Sequence, residues 1–173
     1  MTDDMVMFSN GEITFMYRVG GIAVHEGRLL VEHNVKHDFS FVPGGRVEYG
    51  ENAVQALSRE LDEELGGGVQ VGRLVIFYDL LFELDNIRYQ EVGLCFLLEF
   101  PSEHPILGRE GKFEASEPDL VYEWLSLDSL EEVELFPRFL RELVLDIPQT
   151  PKYVIQSHID SCWTESYSNV TGV

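Results

Sequence analysis

The stretch from Asn52 to Gly68 constrains this chain more than any other, because it reads as an amphipathic helix with an unfavourable charge pattern. Val54, Leu57, Leu61 and Leu65 recur at helical spacing and predict a helix over Asn52 to Leu65 with one stripe toward a core. Gly66-Gly67-Gly68 stop it, since glycine takes the left-handed conformation common just past a helix end. At about 100° per residue, Glu60, Glu63 and Glu64 fall within an arc roughly 100° wide beside that stripe. Like charges three and four residues apart repel, and acids near a helix C-terminus oppose its macrodipole. Stability alone does not select such a face. A hard divalent cation does, because magnesium takes carboxylate oxygens together with waters and substrate phosphates. Arg59, within reach of Glu51 and Glu63, reads as a residue that orients the carboxylates.

Three glutamates at this spacing in an acidic chain are more often a solvated face; the wider pattern decides against that. Gly45, Glu51 and the run Arg59-Glu60-Leu61-Asp62-Glu63-Glu64-Leu65-Gly66 resemble the signature box of the Nudix hydrolases, spanning Gly45 to Gly67. Every fixed position matches, and Leu61 fills the internal apolar one; the last position, usually aliphatic, is Gly67.

The resemblance implies an α/β fold, an α/β/α sandwich with a mixed sheet between the box helix and a C-terminal helix. It implies Mg2+ or Mn2+ held by Glu60, Glu63, Glu64 and a carbonyl of the Gly44-Gly45 pair, assigned to Gly45. A further glutamate from the loop before a tryptophan strand supplies a ligand or base: Glu117 fits best by position, with Glu114 and Glu91 behind it. The implied catalytic set is then Glu60, Glu63, Glu64, Arg59 and Glu117. Water activated by the metal attacks a phosphorus of a nucleoside diphosphate linked to a group X, giving a monophosphate and phosphorylated X. Subfamily markers that would name X are absent: the region that carries a proline in many ADP-ribose hydrolases is Phe82-Glu83-Leu84. The alternative is a sensor module of the same fold that binds a nucleotide derivative without turnover. Such modules usually lose box glutamates, and this chain keeps them. A structural calcium-binding domain is opposed by the lack of any twelve-residue EF-hand pattern.

Twelve basic against thirty-one acidic residues give a formal charge of −19, a field that repels nucleic acid and anionic membranes and attracts divalent cations. A small nucleotide-type substrate must then be received by metal and a few local groups. Arg46 in the box and Arg109 in the loop Pro101 to Asp119 are the basic candidates. Tyr78, Phe82 and Tyr89 are candidates for stacking on a base or sugar, and plain core packing is the commoner role for each such ring. The start of the chain lacks a basic segment followed by an apolar one, and no run reaches membrane-span length, so a cytoplasmic protein is expected, with a homodimer suggested by the family. Cys95 and Cys162 stand in no metal-binding pattern.

In chain order, Ile13 to Val24 reads as a strand bent at Gly20-Gly21, His25 to Arg28 as a hairpin turn, and Leu29 to His33 as the returning strand. Val69 to Leu84 and Arg88 to Phe100 read as long strands joined at Asp85-Asn86. Leu120 to Leu125 reads as a final strand, with Asp128 or Ser129 capping a helix to about Leu145, broken or kinked at Pro137. Residues 1–147 are expected to form one domain. Residues 148–173 are read as a tail, ordered in part at most, with a short element near Tyr153 to Ile159.

Overall fold

A computed structural model describes residues 4–115 and 119–157, and the backbone of 164–169. Strand β1 (Met7–Ser9) folds back antiparallel on β2 (Ile13–Ile22) through a turn in which Asn10 Oδ1 accepts from the backbone N–H groups of Glu12 and Ile13, both at 2.9 Å. β3 (Val24–His25) and β4 (Arg28–Asn34) form a hairpin whose two central residues, Glu26 and Gly27, both take positive φ, the conformation whose twist suits a two-residue turn. β5 (Phe39–Phe41) and β6 (Gly44–Arg46) lead to helix α1 (Ala53–Leu65). Its first turn is closed by a reciprocal cap: Asn52 Oδ1 accepts from the N–H groups of Val54 and Gln55 while Gln55 accepts from that of Asn52. At the other end Gly66, Gly67 and Gly68 have φ of 84°, 80° and 85°. This accounts for the departure at Gly67, where an aliphatic side chain would be strained.

β7 (Gln70–Leu84) and β8 (Ile87–Glu99) make a long hairpin over Asp85-Asn86, again with both turn residues at positive φ. β9 (Phe113–Glu114) and β10 (Leu120–Ser126) follow. The larger sheet has the order β1-β2-β8-β7 continued by β11 (Lys152–Ser157) and β12 (Thr164–Asn169), with β6 also on β2; β2/β8 and β7/β11 are parallel and the other pairs antiparallel. The smaller, β3-β4-β10-β9 with β5 on β4, is antiparallel.

The layers are those of an α/β/α sandwich. Strand alternation divides the apolar residues between two cores. Val19, Leu30, Phe96, Leu98, Tyr122 and Trp124 pack with Leu57 and Leu61 under α1. Met16, Ile22, Leu29, Val31, Ile76 and Leu80 pack on the other side with Leu130, Phe139, Leu140 and Leu143.

One expectation is corrected. The long C-terminal helix is instead a 3-10 turn, Leu127–Glu132, capped by Ser126, and a single helical turn α2 (Leu140–Leu143) after Pro137. Pro137 lacks the N–H an unbroken helix needs, and its carbonyl accepts the N–H of Leu140 at 3.1 Å to start the new turn. Past residue 147, β11 pairs with β7, Val154 is fully buried, and Tyr153 stacks on Phe77 at 5.2 Å. Alternation along Lys152–Ser157 gives that segment an inward face. Of the last ten residues, Thr164–Asn169 pair with β11 and 170–173 lie outside the described residues.

Candidate active site

α1 lies beside β6, and this contact builds the site. A Cβ placed on Gly45 would stand 2.1 Å from Glu60 Oε1, so only glycine leaves room for that carboxylate against the strand. Arg59 organises the acids around it. It donates to Glu51 through Nε at 2.7 Å and Nη2 at 3.1 Å, to the Arg46 carbonyl at 3.2 Å, and its Nη1 lies 3.1 Å from Glu60 Oε1 and 3.7 Å from Glu63 Oε2. The two-pronged hydrogen bond from Arg59 holds the Glu51 carboxyl below its ordinary value, and Glu51 in turn raises the Arg59 guanidinium. Burial pushes Glu60 up against the opposing pull of Arg59.

Glu64 is held from the smaller sheet: the Tyr122 hydroxyl donates to Glu64 Oε2 at 2.6 Å and lies 3.0 Å from Glu32 Oε1. Burial and then the charge of Glu64 drive Glu32 well above the carboxylate range, and burial with the two acids raises the Tyr122 phenol. Glu63 is the most open of the three glutamates Glu60, Glu63 and Glu64, its side chain 62% exposed.

Glu60, Glu64, Gly45 and Arg46 face a cavity of about 370 Å³. Phe39, Phe41, Phe82, Tyr89 and Phe136 also line it. Phe82 stacks on Tyr89 at 4.9 Å and meets Phe136 edge-on at 5.1 Å. Arg18 lies over Phe41 at 5.7 Å, close enough to Glu91, Glu32 and Glu60 for their charges to keep its guanidinium protonated despite burial.

The other candidates divide. Arg46 lines the cavity; its Nη1 reaches Met5 Sδ at 3.1 Å, and its Nε is buried with no hydrogen-bond partner among the described residues. Tyr78 also borders the cavity, but its ring is 5% exposed and packs against Phe139 at 5.2 Å, while its hydroxyl donates to buried Glu91 at 2.5 Å. It is a wall of the core with no open face for stacking. Arg109 lies over Phe113 at 5.9 Å and is not among the residues lining the cavity. Glu114 is exposed on β9, opposite Val121. Glu117 lies outside the described residues.

Sequence reasoning missed Arg18, Glu32 and Tyr122. The available signal was a single charge inside each of two apolar strand runs, ITFMYRVGG and LLVEH, where an unpaired charge is costly.

Among the described residues no three His, Cys, Asp or Glu side chains are already gathered about one point as metal ligands: Glu60 and Glu63 turn to Arg59, and Glu64 to Tyr122. The donors are nonetheless hard oxygens of the kind magnesium and manganese take, and Gly45 keeps the space beside Glu60 open.

The family model for the NUDIX domain matches residues 14–146. The chain belongs to this family, and with its box intact it is a Nudix pyrophosphohydrolase, acting on phosphoric anhydride bonds. Among solved structures it is similar to a mutator MutT protein from Bacillus halodurans, with a TM-score of 0.61 and 15% identity over 88% of this chain and 97% of that one. It is similar to a NUDIX hydrolase from Nitrosomonas europaea, with a TM-score of 0.54 and 17% identity over 76% and 86%. A UDP-X diphosphatase gives a TM-score of 0.51 and 20% identity over 75% and 61%. At these identities the likenesses establish the fold. No curated protein matches. Among the described residues no helix is long and apolar enough to cross a membrane.

Proposed function

We propose that this protein is a divalent-metal-dependent hydrolase that cleaves the diphosphate linkage of a nucleoside diphosphate derivative. The observation that carries the reading is the cavity, which is lined both by Glu60, Glu64 and Gly45 and by the stacked rings of Phe82 and Tyr89. Acidic groups for a metal-bound diphosphate and flat apolar rings lining one cavity suit a nucleotide joined to a second group.

Glu60, Glu63, Glu64 and the Gly45 carbonyl would hold Mg2+ or Mn2+, which when bound neutralises the diphosphate and acidifies water. The chain's own contributions are positioning and proton transfer. Arg59 fixes Glu60, and Tyr122 fixes Glu64. Arg46 and Arg18 face the cavity and receive phosphate charge, while Phe82 and Tyr89 limit the movement of the base or of X. Water oxygen bonds to one phosphorus, the bridging P–O bond breaks, and the departing phosphate oxygen keeps its electron pair. A box carboxylate takes the proton of the attacking water. Glu117 remains a candidate for a further ligand or base in the same reaction.

Incubation with a panel of nucleoside diphosphate derivatives and Mg2+ tests this, with Glu64→Gln as control. Turnover by the wild type and a loss of about a hundredfold or more in the variant are expected, as for loss of a group acting in the transition state. If both proteins bind a derivative equally and neither cleaves it, the sensor reading replaces the enzyme one.

A further inference from the structure

Along β4 the alternation that turns Leu30 toward α1 turns Glu32 the same way. Tyr122 stands directly opposite Glu32 in the strand register, on the same face. The Glu32 carboxylate is 1% exposed and faces the same cavity as Glu60 and Glu64. Its oxygen Oε1 lies 3.0 Å from the Tyr122 hydroxyl, which lies 2.6 Å from Glu64 Oε2. A phenol has one proton to give, so one donor stands between two acids.

A buried carboxylate beside a second one persists only with a compensating charge or proton. Strand packing explains no acid at this position, since glutamine would meet the tyrosine as well. Two guanidiniums lie nearby: Arg59 is engaged by Glu51, Glu60 and Glu63, and the charge of Arg18, which does reach Glu32, is shared with Glu91 and Glu60.

We infer that Glu32 is a ligand of the box cation, a further carboxylate delivered from β4, and that Tyr122 is the positioning residue that keeps Glu32 and Glu64 side by side. The inference rests on the proposed function in one respect, that a cation binds at the box glutamates. Both carboxylate oxygens lie within 3.0 Å of one hydroxyl, near enough for ends that rotate slightly to share an ion with bonds of about 2.0–2.1 Å. It makes the site one built from two sheets and a helix, and the deepest ligand is the one that no box spacing announces.

The test is Mn2+ binding without substrate, followed by the electron paramagnetic resonance of free Mn2+ and by the metal-induced rise in melting temperature. Glu32→Gln is expected to fold, to weaken Mn2+ at least about tenfold as loss of a metal-site partner does, and to shrink the metal-induced rise. Glu131→Gln, exposed on the 3-10 turn, is expected to match the wild type. A Glu32→Gln constant within twofold of wild type, in a preparation where Glu64→Gln does weaken binding, overturns the role of Glu32 and leaves the proposed function standing. A wild type that binds no Mn2+ overturns both. Should Glu32→Gln not fold, a wild-type crystal soaked in Mn2+ decides: an ion about 2.0–2.4 Å from a Glu32 oxygen supports the assignment, and Glu32 oxygens all beyond about 3 Å refute it.

Discussion

Adjacent glycines with different reasons to be glycine allow the geometry of the site to be separated from the stability of the fold. At Gly45 φ is not in the left-handed region, so alanine is conformationally acceptable, and replacing glycine gains about 0.4–1 kcal/mol by restricting the unfolded chain. The new Cβ would stand 2.1 Å from Glu60 Oε1 and 2.2 Å from its Cδ. The carboxylate must retreat by on the order of 1 Å to regain ordinary contact. That end of the side chain is flexible, so its displacement costs about 0.5–1.5 kcal/mol, and the two effects on stability nearly cancel. Activity has no such cancellation. A misplacement of about 1 Å in a reacting constellation lowers rate on the order of a hundredfold, or about 2.7 kcal/mol.

Gly44 differs. Its φ is 148°, and a Cβ there would stand 2.2 Å from the Val19 carbonyl oxygen and 2.9 Å from Gly20 Cα. Those are backbone atoms of the strand it pairs with, and they cannot step aside without opening the β2/β6 pairing. Strained φ of about 1–3 kcal/mol and overpacking of about 1–3 kcal/mol then add. In circular-dichroism melts Gly45→Ala should fall within about 4 °C of wild type and Gly44→Ala at least about 5 °C below it. With Mg2+ and the best substrate of the panel, Gly45→Ala should lose about a hundredfold in kcat/KM while folded. Full activity in Gly45→Ala would show that the Glu60 position against β6 does not matter. Equal melting temperatures for the two variants would refute the backbone-clash argument.

Three further outcomes follow from neighbouring contacts. The Glu51 carboxyl lies below its ordinary value of 4.5 because Arg59 donates to it; its stabilising effect is therefore complete above that value and lost as pH falls through the lower folded one. The stability difference between wild type and Glu51→Gln, measured by denaturant unfolding, should be constant from pH 7 to about pH 5 and shrink below pH 4. A Cβ on Gly93 would stand 2.0 Å from Tyr78 Cζ, so Gly93→Ala should cost about 1–3 kcal/mol; Tyr78→Phe should not rescue it, because the ring carbon itself is struck. Burial pushes the Cys95 thiol up to about 12, and in a Cys162→Ser background a thiol reagent at pH 8 should leave the native protein unlabelled and label it fully in denaturant.

What the sequence disclosed and what it hid divide along the separation of partners in the chain. The helix, its glycine stop and the reach of Arg59 toward Glu51 are set within about one element, where spacing alone fixes which residues meet. The Tyr122–Glu64 and Tyr122–Glu32 contacts join residues 58 and 90 apart, and they exist only because β10 lies beside β4 under α1. No period within one segment encodes that neighbourhood. Aromatic content along β7 leaves Tyr78 open between core packing and stacking, because it does not reveal that Gly93 opposite makes room for the ring. The C-terminal helix reads as longer than it is because apolar residues near Pro137 keep helical spacing on both sides of a break. Six residues of alternating pattern, Lys152–Ser157, become a strand where an edge of β7 receives them.

The charges at the cavity set an order on the proposed reaction. Four carboxylates, Glu32, Glu60, Glu64 and Glu91, face two guanidiniums, Arg18 and Arg46, inside a chain whose formal charge is −19. Arg59 offsets Glu60 at 3.1 Å and is otherwise committed to Glu51 and the Arg46 carbonyl. A diphosphate approaching without a cation still meets the carboxyl groups of Glu60 and Glu64 at short range, where low dielectric strengthens repulsion. Under the proposed function, cation and substrate would bind with positive coupling, each raising the affinity of the other by the same factor. The glutamate face on α1, costly for a helix by itself, supplies the differential charge from which that coupling arises.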